Sequence, residues 1–264
     1  MNIRIIATGA LRSFLHNKVI LLFGSLFVCV VLLMMTPLMT YKSMTNAANA
    51  QQMQGFVLST VSGVMSLVSA FGSLLAAWAA ADSVAGEMKS GTVLAVMARP
   101  LRRWEFLAGK FLGVLMLMAI YVTAMLGITI LLSWLGGQHI QTSVWALLIY
   151  PLARYAMWAA LAILFVTLVH PVLVMGIILI MMALVELFGS TSNHIAAWIR
   201  VPVHLVLPLT GLVSEDRFMV IRGAPLKSFT WTSHLIALSY AADYALVCFL
   251  LAVFMFHRRE LTRD

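Results

Sequence analysis

Six apolar runs, each long enough or nearly long enough to cross a bilayer, constrain this chain more than anything else in it. A spanning helix needs about 20 apolar residues. The runs fall at Val19–Leu38, Gly55–Ala81, Leu107–Leu135, Val144–Val169, Val172–Phe188 and Leu235–Phe256. They are continuous rather than alternating, which predicts helices and not barrel strands, because backbone polar groups in lipid must be satisfied within the segment. With 62% hydrophobic and only 10% charged residues, a chain of 264 residues could not hide its apolar surface in one soluble core. The prediction is an all-α, polytopic membrane protein with six transmembrane helices, forming one domain over residues 1–264.

Lysine and arginine orient it. Arg4, Arg12 and Lys18 precede the first span; Lys89, Arg99, Arg102, Arg103 and Lys110 lie between spans two and three; Arg258, Arg259 and Arg263 follow the last. The first outer loop has only Lys42, and Gly136–Ser143 has neither residue type. The positive-inside rule then puts both termini in the cytoplasm. The loop after span five, with Arg200, Arg217, Arg222 and Lys227, is long enough to escape that rule. The net charge of +8 therefore reflects topology and attraction to lipid headgroups, with no nucleic acid as partner. The first run exceeds the 7–15 residues of a signal-peptide core and no small-x-small cleavage pattern follows, so it is read as a span. Cys29 and Cys248 fall inside spans, as small apolar fillers rather than a disulfide or metal site.

Residues 1–18 predict an amphipathic interfacial helix. Ile3, Ile6, Ala7, Ala10, Leu11, Phe14 and Leu15 share one face at spacings of three and four, and Arg4, Thr8, Arg12, Ser13 and His16 the other. Such a helix is expected in the inner headgroup plane, as an anchor or as a lever moved by a cytoplasmic partner. In span two, Ser59, Ser62, Ser66, Ser69 and Ser73 form a stripe beside Gly63 and Gly72. Small residues of this kind permit close helix packing, with each hydroxyl bonded back one turn; a polar substrate path is the other reading.

Three ionisable residues sit inside spans. At about 1.5 Å rise per residue, Arg154 lies about 22 Å, Glu186 about 21 Å and Asp243 about 20 Å above the cytoplasmic ends of their helices. An unpaired charge in lipid costs at least about 2.5–3.5 kcal/mol, so a buried pair pinning spans four, five and six is expected, with a substrate or proton site as the alternative. Between spans five and six, residues 189–234 carry an apolar piece broken by Pro202 and Pro208. This predicts a broken outer hairpin, re-entrant or interfacial, before span six.

The stretch 82–105 is the one segment that a water-soluble partner could read. Gly91 is placed to end a helix continuing out of span two, and Thr92 to cap a short apolar helix, Val93–Ala98, stopped by Pro100. Arg103 and Trp104 then mark the return to the headgroup level, with Lys110 snorkelling back. Glu87-x-x-x-Gly91-Thr92, then Pro100-x-x-Arg103, then Gly109-Lys110, resembles the motif of ABC-2 type transporter permeases, in the NosY-like branch. The amphipathic start, the six spans and the broken outer hairpin extend the resemblance over the whole chain.

The resemblance implies that Glu87, Gly91, Thr92, Pro100 and Arg103 belong to a coupling helix docking on a separate cytoplasmic ATPase, which binds ATP and Mg. It further implies a second permease copy or a homologous permease, twelve spans in total, and a bacterial inner membrane. Val93–Ala98 departs from the family in being poor in leucine, and Arg99 immediately precedes the proline. The chain itself has no G-x-x-x-x-G-K phosphate loop: Gly109-Lys110 has no glycine five residues earlier, and Leu135-Gly-Gly-Gln138 follows a span and is read as a turn.

No cofactor or metal is expected in this chain. H-E-x-x-H is absent, which weighs against an intramembrane enzyme, and His139, His194, His204 and His234 are placed outside the core. A non-transporting assembly or signalling subunit using the same coupling helix is the remaining alternative. The 18 methionines include adjacent pairs, Met34-Met35 and Met181-Met182, inside apolar helices, where methionine is ordinary filler rather than a copper ligand. Span five is apolar except for Glu186, which favours a hydrophobic or amphipathic cargo.

Overall fold

A computed structural model describes residues 2–42, 50–90, 103–135, 144–190, 208 and 231–258. Among them are seven helices: α1 (Asn2–His16), α2 (Lys18–Lys42), α3 (Ala50–Ser90), α4 (Arg103–Leu135), α5 (Val144–Leu168), α6 (Pro171–Ser190) and α7 (Trp231–Arg258). Four of these contain stretches long and apolar enough to cross a membrane, at Gly63–Glu87, Trp104–Leu131, Leu148–Leu168 and His234–Arg258. They match the second, third, fourth and sixth predicted spans. The first and fifth predicted spans are helical too, as α2 and α6, and the described apolar stretch of α6, Leu173–Val185, is shorter.

The surface agrees with a lipid solvent. Leu131, Ile180, Leu250 and Phe254 are exposed, which water would penalise and hydrocarbon does not. Trp104 and Trp134 are exposed at opposite ends of α4, about 45 Å apart at helical rise, close to the full thickness of a bilayer with its headgroups. Amphipathic aromatic rings favour those two levels.

The core is built on α5, whose Tyr155, Trp158, Ala159, Ala160, Ala162 and Ile163 are all buried. Against it lies an alanine face of α3, including Ala76, Ala77, Ala80 and Ala81. Lipid supplies no hydrophobic drive for helix association, so small side chains that let backbones approach and gain dispersion contacts do that work. Pro151 sits inside α5, which membrane helices tolerate when neighbours take up the freed carbonyl. Between α5 and α6 the chain reverses at His170. Its carbonyl accepts from Leu173 and Val174 at 2.9 and 3.2 Å, and Pro171 occupies the first helical position, where a missing N–H costs nothing.

In the middle of the bundle, Tyr121 of α4 and Tyr155 of α5 both donate to the Val68 carbonyl of α3, at 3.1 and 3.2 Å. Gly72, one turn along α3, makes this possible: a Cβ there would lie 2.2 Å from the Tyr155 hydroxyl. Phe27 of α2 packs on Phe71 and Tyr121, at centroid distances of 5.0 and 6.0 Å. At the other end of α5, the Tyr150 hydroxyl and His234 Nδ1 of α7 are hydrogen-bonded at 2.6 Å.

Helix α1 has the predicted two faces, but protein takes up much of the apolar one. Ala7, Ala10 and Phe14 are buried, Ile3, Ile6 and Leu11 half-buried, and Arg4, Thr8, Arg12, Ser13 and His16 exposed; Leu15 is exposed as well. Thr8 and His16 bond back to carbonyls one turn earlier, and the helix closes at Asn17, whose N–H donates to Phe14. The helix therefore packs along α4 in addition to presenting charge outward.

Candidate functional site

Helix α3 is 41 residues long, about 60 Å, roughly twice the hydrocarbon thickness, and it is continuous helix as far as Ser90. That carries Glu87 to the last residue of its apolar stretch, Gly63–Glu87. Helix α4 starts at Arg103 and returns antiparallel, bringing Lys110 opposite. The Lys110 ammonium donates to Glu87 Oε1, with side-chain exposures of 10% for lysine and 28% for glutamate. The same ammonium lies 5.8 Å from the Phe106 ring centroid, so an aromatic face shares in its stabilisation. Lys110 does not snorkel to the headgroups: it turns inward because its carboxylate partner is there.

The residues on either side of Lys110 on α4 receive α1. Gly109 and Gly113 are one turn apart and face it. A Cβ on Gly109 would lie 2.6 Å from Ile6 Cγ2, and one on Gly113 would lie 2.7 Å from Ala10 Cβ and 3.1 Å from the Ala7 carbonyl oxygen. Gly109-Lys110-Phe111-Leu112-Gly113 thus does two jobs at once. The glycines seat one helix, and the lysine, rotated about 100° from Gly109, is bonded to another. The result is a three-helix block, α1, α3 and α4, at the end of the bundle where α4 begins.

This block holds the two roots of segment 91–102. Of the residues predicted to couple, Glu87 is in it. Arg103 opens α4, although its side chain lies outside the described residues, as do Gly91, Thr92 and Pro100 and the helix predicted at Val93–Ala98. The outer hairpin predicted within 189–234 also lies almost wholly outside them. Sequence reasoning missed the roles of Lys110, Gly109 and Gly113, although the G-x-x-x-G spacing that seats a helix was present.

The serine stripe divides. Ser69 and Ser73 are buried, and the Ser73 hydroxyl donates to the Ser69 carbonyl at 2.8 Å, while Ser66 is exposed and the side chains of Ser59 and Ser62 lie outside the described residues. Arg154 is half-buried on α5, one turn from Tyr150. Asp243 is exposed on α7 and, among the described residues, no ion pair joins it to Arg154; the Glu186 side chain lies outside them.

No curated protein matches this chain significantly. The family described as ABC-2 family transporter protein matches residues 4–261, at the level of the family and not of its NosY-like branch. That match covers nearly the whole chain, and four membrane-crossing helices accompany it. The chain belongs to the ABC-2 transporter family, as a membrane subunit of an ABC transporter that is not itself catalytic.

Proposed function

We propose that this chain is the permease of an ATP-driven exporter of the type V-like class, worked by a separate ATPase that binds ATP and Mg and docks on residues 82–105. The observation that carries the reading is the block of α1, α3 and α4, in which the Glu87–Lys110 pair and the Gly109–Gly113 seat tie together the helices flanking segment 91–102. A push on that segment reaches α3 and α4 at their cytoplasmic ends. Both are long, and α3 is locked mid-membrane to α4 and α5 through Val68. Closure of the ATPase would then bias the bundle between two packed arrangements, which is the physical content of alternating access.

In this reading α2 and α6 complete six spans, both termini are cytoplasmic, and two permease copies give twelve spans in a bacterial inner membrane. Gly91, Thr92, Pro100 and Arg103 shape the docking segment. The apolar face of α6 favours a hydrophobic or amphipathic cargo.

A photo-crosslinking amino acid at Thr92 tests the docking in native membranes. The reading predicts a covalent adduct with a soluble ABC ATPase, and none from the same probe at Gly137. Adducts at Gly137 alone, or at neither position in correctly inserted protein, contradict it.

A further inference from the structure

The seat on α4 fixes which side of α1 looks outward. Ile6, Ala7 and Ala10 meet Gly109 and Gly113, and Arg12 stands about 160° round the helix from Ala10. Arg4, Arg12 and, at the head of α2, Lys18 are exposed, and none of the three is ion-paired among the described residues. Residues 2–18 contain no acid. Ile5 and Leu15 lie among these cations with exposures of 62% and 43%. The Thr8 hydroxyl and the His16 ring are turned back on carbonyls of their own helix, so the face offers chiefly guanidinium, ammonium and alkyl groups.

The level of the seat limits what can reach that face. The apolar stretch of α4, Trp104–Leu131, is about 40 Å long at helical rise, the thickness of a hydrocarbon core with its headgroups, which leaves about 5 Å of headgroup layer at each end. Gly109 lies about 8 Å and Gly113 about 14 Å along it from Trp104. Helix α1 is therefore held where headgroups give way to hydrocarbon, deeper than a water-soluble protein reaches. Arginine stems are long enough to carry their guanidinium groups back to the phosphates from there.

We propose that the outward face of α1 is a binding site for anionic phospholipids, with Arg4 and Arg12 on the headgroup phosphates and Ile5 and Leu15 against the acyl chains. A guanidinium meets a phosphate through two parallel N–H donors. Charge selects anionic over zwitterionic lipid: choline and ethanolamine headgroups bring their own cation to each phosphate, and this face has three cations and no acid to receive it. Ile5 and Leu15 select a lipid over a soluble polyanion, which would leave them in water. The site rests on membrane insertion alone and stands whether or not an ATPase docks on residues 82–105.

The test is native mass spectrometry of the full-length protein, without an ATPase, in detergent with equal amounts of phosphatidylglycerol and phosphatidylcholine of identical acyl chains. Wild type is expected to retain phosphatidylglycerol over phosphatidylcholine by at least about fivefold, the discrimination that one basic side chain near a lipid surface confers. Arg4→Gln with Arg12→Gln should bring the two lipids level, and Arg4→Lys with Arg12→Lys should keep most of the preference. Arg222→Gln with Lys227→Gln removes the same charge elsewhere in the chain and should leave the preference as in wild type. A wild-type preference below about twofold overturns the proposal. So does a preference that survives the glutamine pair at Arg4 and Arg12, or one that falls equally in the Arg222 and Lys227 control. Should that glutamine pair not fold, Arg12→Gln alone decides: a drop is expected, and an unchanged preference overturns the site. A photo-crosslinking residue at Thr8 in native membranes should give lipid adducts, and soluble-protein adducts in their place overturn it too.

Discussion

Lys110 of α4 and Glu87 of α3 form a largely buried ion pair at the end of the bundle where α3 closes its apolar stretch and α4 begins. Removing one member of such a pair strands the other. We expect Glu87→Ala and Lys110→Ala each to cost roughly 2–4 kcal/mol, and the double variant to cost less than their sum. Thermal unfolding of the four proteins of this cycle in one detergent checks the coupling; additive losses would show that the pair contributes nothing.

Gly113 and Gly109 differ as seats for α1. A methyl on Gly113 meets the Ala10 Cβ and the Ala7 backbone, which can yield only by moving the helix, whereas one on Gly109 first meets the Ile6 side chain. Gly113→Ala is predicted to destabilise by about 1–3 kcal/mol and Gly109→Ala by less. Proteolytic release of residues 2–16 in the Gly113 variant, and not in wild type, is the measurement that reads it.

Gly72→Ala places a Cβ 2.2 Å from the Tyr155 hydroxyl and 2.8 Å from Tyr121. Both rings must retreat from Val68, losing two hydrogen bonds at about 0.5–1.5 kcal/mol each in addition to the overpacking. Tyr155→Phe should cost only the hydrogen bond. The ranking Gly72→Ala worse than Tyr155→Phe is checked by melting temperature, and the reverse ranking would contradict this account of the junction.

Tyr150 and His234 join α5 to α7 at the far end of the bundle. Tyr150→Phe keeps the ring and its packing and removes the hydroxyl, with an expected loss of about 0.5–1.5 kcal/mol. His234→Ala in the Tyr150→Phe background should add little, and a large further loss would place His234 in another role.

The helices were legible because lipid leaves few choices: a long apolar run must be helical, and α2 through α7 lie where the runs lie. Azimuth was not. Arg154 and Asp243 fall at one predicted depth, yet Asp243 is exposed on α7, because rotation about a helix axis is set by packing that no single segment encodes. The serines show the same limit. Ser66, Ser69 and Ser73 lie on one nominal stripe, but only the last two are buried and Ser66 is exposed. Glu87 stood out as part of a charged stretch. Its partner Lys110 did not, because a lysine near a membrane surface has two stable directions, outward to headgroups or inward to a carboxylate, and the choice depends on how α3 and α4 pair.

The most direct test of the central claim is to purify the tagged chain from its native membrane in mild detergent, as wild type and as Glu87→Ala, and quantify what accompanies it by mass spectrometry. The account predicts a soluble ABC ATPase with the wild type, reduced by about tenfold or more in the variant, which corresponds to at least about 1.4 kcal/mol of binding. Equal recovery of the ATPase with both proteins, or none with an intact wild-type permease, would contradict it.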